Sequence, residues 1–178
     1  MDVNATAETH ELGTLEASAD GRSVLRFRRQ LTQTPEKVWR ALTEDGHLAA
    51  WFPTTIEGAR RAGAALRFSF RRGEAEGFDG EMLAFEPPSL MELRWADDVL
   101  RFELEPGPGG AGSVLRLIVT FPERGKAARD GAGWHVCLER LVSESDGATP
   151  PADDRWRVVH ARYVETLGPE ASTVGPPA

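Results

Sequence analysis

Hydrophobic and polar residues alternate in short runs through most of this chain and shift to a helical repeat at only a few places. In RSVLRFRRQL, residues 22–31, Leu25, Phe27 and Leu31 fall on one side and Arg26, Arg28 and Gln30 on the other, the mark of a half-buried strand. From 54 to 121 the period of two returns again and again. ALRFSF groups Leu66, Phe68 and Phe70; EMLAF sets Met82 and Ala84 against Leu83 and Phe85; LMELRW groups Met91, Leu93 and Trp95. VLRFELE groups Leu100, Phe102 and Leu104, and SVLRLIVTF groups Leu115, Leu117, Val119 and Phe121. Turn signals separate these runs at Arg72-Gly73, Pro87-Pro88, Asp97-Asp98 and the glycine-rich PGPGGAG of residues 106–112. Short strands so spaced, with no helical stretch between them, predict an antiparallel meander. Leu12 to Ala17 reads as one further short strand, followed by a turn at Asp20-Gly21.

The helical repeats lie on either side of the meander. Thr34 suits an N-cap, Pro35 the first helical position, and Val38, Trp39 and Leu42 form an inward stripe that Asp45-Gly46 interrupts. A second short helix, His47 to Trp51, stops before Pro53, because proline disfavours helical geometry at Phe52. The longest pattern runs from about Lys126 to Ser145, with Trp134, Leu138 and Leu141 on one face and Cys137 and Val142 beside it. GATPPADD reads as a linker to a last amphipathic helix, about Asp153 to Leu167, carrying Trp156, Val159, Tyr163 and Leu167 before Gly168-Pro169. The expected division is a flexible N-terminus at 1–11, a domain at 12–147, a linker and C-terminal helix at 148–168, and a flexible tail at 169–178. The order describes an α+β helix-grip fold. A curved antiparallel sheet wraps a long helix, two short helices plug one end, and an extra helix follows.

Composition narrows the function classes. A hydrophobic share of 40% and a charged share of 28% describe a soluble globular chain, and no apolar run approaches the ~20 residues of a membrane span. Met1-Asp2-Val3-Asn4 carries neither a basic nor an apolar leader region, which predicts no signal peptide. A single cysteine, Cys137, fits a reducing cytoplasm. The net charge of −7 argues against nucleic acid, since phosphate binding needs a basic surface. Of 21 basic residues only Lys37 and Lys126 are lysines; the arginines are interspersed with acids, as a coding bias would leave them.

Candidate chemistry is sparse. His135 and Cys137 lie about 200° apart around their helix and cannot share a metal. PGPGGAG precedes a strand rather than a helix, so it is a hairpin loop and not a phosphate cradle. Glu74, Glu76, Asp79 and Glu81 read as a solvated edge. Arg29 falls on the inward face of Leu25, Phe27 and Leu31. A buried arginine there needs an anionic partner, from the protein or from a ligand, and strand twist is expected to turn it outward instead. No nucleophile–base motif appears, no cofactor is expected, and His135 with Glu139, four residues apart, is the one catalytic pair the sequence offers.

TPEKVWRALTEDGHLAAWFP, FDGEMLAFEPPSLMELRW and DGAGWHVCLERL, in that order over roughly residues 22–147, resemble the SRPBCC (START-like) superfamily. Within it they are most similar to the activator of heat-shock-protein-90 ATPase homologue-like branch. The resemblance implies the helix-grip fold and a pocket between sheet and long helix. Trp51 and Phe52 would roof that pocket. The expected lining is Trp51, Phe52, Phe68, Phe70, Met82, Leu93, Trp95, Phe102, Leu117, Val119, Trp134, His135, Leu138 and Leu141. The leading expectation is a non-catalytic cytoplasmic protein holding a small apolar or amphipathic ligand such as a lipid, polyketide or aromatic metabolite. The alternatives are a protein-interaction module with a chaperone or other protein partner, enediyne-type antibiotic self-resistance by binding or self-sacrifice, and cyclase or hydrolase chemistry in the cavity. The final helix is expected to pack back on a monomer or to pair in a homodimer.

Overall fold

The computed structural model describes residues 11–176; the first ten residues of the expected flexible N-terminus lie outside them. Eight strands form one antiparallel sheet: β1 Thr14–Ala17, β2 Ser23–Leu31, β3 Thr54–Glu57, β4 Ala65–Phe70, β5 Phe78–Glu86, β6 Leu90–Trp95, β7 Asp98–Pro106 and β8 Ser113–Phe121. Their spatial order is β1-β2-β8-β7-β6-β5-β4-β3. The meander β3 to β8 is therefore closed on one side by β2, which pairs with β8 from Ser23↔Phe121 to Leu31↔Ser113. The α-helices among the described residues are α1 Pro35–Thr43, α2 Asp45–Trp51, α3 Ala127–Asp146 and α4 Arg155–Leu167.

Local chemistry sets the element ends. Thr34 caps α1 by accepting from the Lys37 N–H, with proline in the first turn. Glu44, extended at φ −86° and ψ 130°, ends α1 and opens α2. Phe52 is extended at φ −82° and ψ 138°, as a residue before proline must be. Gly147 ends α3 at φ 65°, in the left-handed region where a glycine cap carries no side-chain penalty.

The core lies between the sheet and α3, from Leu25 and Phe27 on β2 through Phe102, Leu117 and Val119 to Leu138 and Leu141. Strict alternation fails in β5. The register shifts between Met82 and Ala84, so Leu83 bulges outward and Phe85 comes opposite Met91. Phe85 then packs on Trp39, ring centroids 5.3 Å apart, rather than sharing the outer face with Leu83. Arg29 also departs from expectation: it is buried, 1% exposed, because β2 is paired along its full length with β8 and neither frays nor turns.

The final helix α4 packs on α3 of the same chain through Val159 and Tyr163, both fully buried. Gly131 makes room for it, since a Cβ there would stand 3.0 Å from the Tyr163 ring. Of the expected tail, residues 169–174 fold back on the start of α3, and residues 177–178 lie outside the described residues. Ala171 is buried, the Val174 N–H donates to the Gly125 carbonyl at 3.0 Å, and a Cβ at Gly125 would collide with Thr173.

Candidate functional site

Trp51 and Phe52 leave α2 into an interlocked group of rings. The indole N–H of Trp51 donates to the Ala41 carbonyl at 2.8 Å, tying the end of α2 to α1. Phe52 stands edge-on to Trp95 at 5.3 Å and tilted against Trp134 at 5.8 Å. Trp95 in turn meets Trp134 at 5.8 Å, Phe68 at 4.9 Å and Phe78 at 4.8 Å. Edge-to-face contacts of this kind add to the burial of large apolar area and leave ring faces available at the margin of the group.

That margin opens into two adjoining clefts. One, of about 350 Å³, lies between the β6–β7 turn and the first half of α3, and Trp95, Trp134 and Trp156 contribute to its lining together with Pro53 and Cys137. The other, of about 730 Å³, is lined by Trp51, Phe52 and Phe70 and by Arg71, Arg72 and Arg140. Both include Pro53, Arg129 and Cys137, so they meet where Pro53, just after α2, faces α3.

Of the residues expected to line a pocket, Trp51, Phe52, Phe70, Trp95 and Trp134 reach these clefts. Phe68, Met82, Leu93, Phe102, Leu117, Val119, Leu138 and Leu141 pack in the core and line neither. The glycine-rich turn is also remote: Gly112 lies against the Leu31 carbonyl, at the other end of β8.

The rim of the smaller cleft is polar and was not legible in the sequence. The Lys126 ammonium donates to both oxygens of Asp98 at 2.7 and 2.8 Å and lies 3.4 Å from Asp130, whose carboxylate also accepts from Arg129 at 2.8 Å. Burial raises the Asp98 carboxyl above the ordinary aspartate value, against the pull of Lys126. Cys137 is half-buried, and its apolar surroundings push the thiol up to about 12. Trp156, placed only on a helix face by its spacing, stacks on His160 at 4.5 Å and supplies the cleft's third indole. Among the described residues no cluster of histidine, cysteine and carboxylate side chains is arranged to hold a metal.

His135 faces elsewhere. It is fully buried on the side of α3 toward β2 and α4, with Arg29 Nη2 at 3.4 Å and Tyr163 Oη at 3.3 Å from its Nδ1. A guanidinium only donates, so Nδ1 accepts and the proton sits on Nε2, 3.3 Å from Glu139 Oε1. Arg155 grips the same carboxylate with contacts of 2.6 and 2.9 Å. Burial holds His135 below the ordinary histidine value despite Glu139, with the Arg29 charge acting in the same direction as burial.

The sequence profile of the family described as Activator of Hsp90 ATPase homolog 1-like protein matches residues 32–145, from the end of β2 to the end of α3. The chain belongs to this family. No curated protein matches it. Among solved structures, the chain is similar to EF2215 of Enterococcus faecalis, a conserved protein of unknown function, at 21% identity and TM-score 0.74 over 92% of this chain and 96% of that one. It is similar to CalU16 of Micromonospora echinospora at 20% identity and TM-score 0.68, over 90% and 96% of the two chains. MLL2253 of Mesorhizobium loti shares 27% identity at TM-score 0.59, over 71% and 98%. These likenesses extend the helix-grip fold to the chain, while α4, with Trp156 and Tyr163, lies beyond the span of the family profile. No helix among the described residues is long and apolar enough to cross a membrane.

Proposed function

We propose that this chain is a non-catalytic binding protein for a small, flat apolar or amphipathic molecule, taken up in the cleft walled by Trp95, Trp134 and Trp156. The observation that carries the reading is the convergence of three indoles from β6, α3 and α4 on a space of about 350 Å³. That volume suits a one- to three-ring metabolite. The ion-paired rim of Asp98, Lys126, Arg129 and Asp130 favours a ligand with a polar end, because a wholly greasy molecule would leave those groups against apolar surface. The site therefore differs from a hollow beneath the sheet: its walls are the outer members of the ring cluster.

Titration with aromatic metabolites, flavonoids and fatty acids, followed by tryptophan fluorescence and thermal melting, tests this. Saturable quenching that Trp156→Ala weakens at least tenfold supports the site. A broad panel with neither quenching nor a melting shift defeats it.

A second reading rests on the family itself. A protein-interaction module acting on the chaperone would bind it in pull-down and alter its ATPase rate; no association at tens of micromolar removes that reading.

A further inference from the structure

The two clefts that meet where Pro53 faces α3 differ in charge. The rim of the smaller one sets Asp98 and Asp130 against Lys126 and Arg129, so its ion pairs balance and do not select the sign of a ligand. The larger cleft, of about 730 Å³, is lined by Arg71, Arg72, Arg129 and Arg140, and Glu74 is the one carboxylate among its lining residues. Glu74 offsets one of these four charges and Asp130, paired with Arg129 at 2.8 Å, a second, so positive charge remains in excess. That excess is local, because the chain as a whole carries a net charge of −7.

Two elements bring the arginines together. The Gly73 N–H closes a turn on the Phe70 carbonyl at 3.3 Å, with Gly73 at φ 68°, and Arg71 and Arg72 form its corner. Arg71 Nη2 donates to the Thr54 carbonyl at 2.9 Å, which holds the turn against the chain leaving α2. On the other wall, Arg129 and Arg140 stand about three turns apart on one face of α3. The Arg140 charge acts on the thiol of Cys137, a residue that lines both clefts. The acids nearest in sequence point to other partners: Glu74 accepts from the Arg72 backbone N–H at 3.3 Å, and Glu144 lies 3.0 Å from the His47 ring.

We propose that the larger cleft is the acid-binding half of the ligand site. It takes the carboxylate of an aryl or aliphatic acid, with Arg72 and Arg140, one from each wall, as its charge partners. The apolar body passes Pro53 into the indole-walled cleft. This rests on the reading of that cleft as a ligand site and adds the sign of the ligand's charge. Guanidinium forks offer a carboxylate two-point hydrogen bonds that a neutral amide cannot match. The apolar walls of Trp51, Phe52 and Phe70 strengthen the attraction relative to open water.

Calorimetric titration of the full chain with naphthylacetate and naphthylbutyrate, each against its primary amide, provides the test, since acid and amide share a shape and differ in charge. The acids are expected to bind at least tenfold more tightly than the amides at low salt, and about 0.5 M salt narrows that preference. Arg72→Gln and Arg140→Gln each reduce the preference for acid over amide at least threefold, whereas Trp156→Ala weakens acid and amide alike. Equal binding of acid and amide, or a preference unchanged in both arginine variants, overturns the acid site and leaves the indole-walled cleft standing. Acid binding that the arginine variants weaken and Trp156→Ala leaves intact upholds the acid site and removes the indole-walled cleft. Absence of binding by every acid and amide overturns both.

Discussion

The phenol of Tyr163 accepts a hydrogen bond from the Gly13 N–H at 2.7 Å and lies 3.3 Å from His135, so the residue before the first strand, the long helix and the last helix meet at one buried oxygen. Burial pushes the Tyr163 hydroxyl up to about 12, which keeps it a neutral donor and acceptor throughout the physiological range. Tyr163→Phe leaves the Gly13 N–H without its acceptor and His135 Nδ1 with Arg29 alone. The expected cost is about 1–3 kcal/mol in urea denaturation. An unchanged midpoint would mean that water replaces the phenol without loss.

His135 makes stability depend on pH. Its folded-state pKa lies below the ordinary value of 6.5, so the unfolded chain binds more protons under mildly acidic conditions. The stabilisation is complete above pH 6.5 and is lost as pH falls through that value toward the folded pKa. Burial shifts His160 in the same direction, and His160→Gln removes its share. Unfolding free energies between pH 8 and pH 5.5 should fall in the wild type and in His160→Gln, and fall less in His135→Gln. Equal slopes in all three would assign the effect to other groups.

Trp51 has a polar as well as an apolar role. Trp51→Phe preserves most of the ring area but removes the bond to the buried Ala41 carbonyl, for an expected loss of about 1–2 kcal/mol. Trp51→Ala also opens a cavity beside Phe52 and Phe102 and is expected to cost about 3–5 kcal/mol. Denaturant midpoints of the two variants separate the hydrogen bond from the packing.

Cys137 lines both clefts, and burial disfavours its thiolate. With its thiol near 12, very little thiolate exists at pH 8, and a thiol reagent should label the native protein far more slowly than the urea-unfolded chain. Comparable labelling rates in the two states would show that the sulfur is open to water as a thiolate.

The strands, the capped α1, the break at Pro53 and the long α3 were legible because each is specified locally. Period-two alternation, a Thr-Pro helix start and a residue before proline act within a few positions of the chain. The family was legible for the same reason, through three ordered motifs. What could not be read is what distant elements do to one another. The β5 bulge that brings Phe85 inward depends on the register with β6. The burial of Arg29 follows from full pairing with β8, although its position on the inward face was already visible in the alternation. The two clefts arise because Phe52, Trp95 and Trp134 pack edge-on against one another, and Trp156 joins them only because Gly131 lets α4 approach α3. Local periodicity determines which face of an element is apolar. Which apolar faces fill one another, and which charges are buried, is decided by three-dimensional packing, where contacts form between residues far apart in the chain.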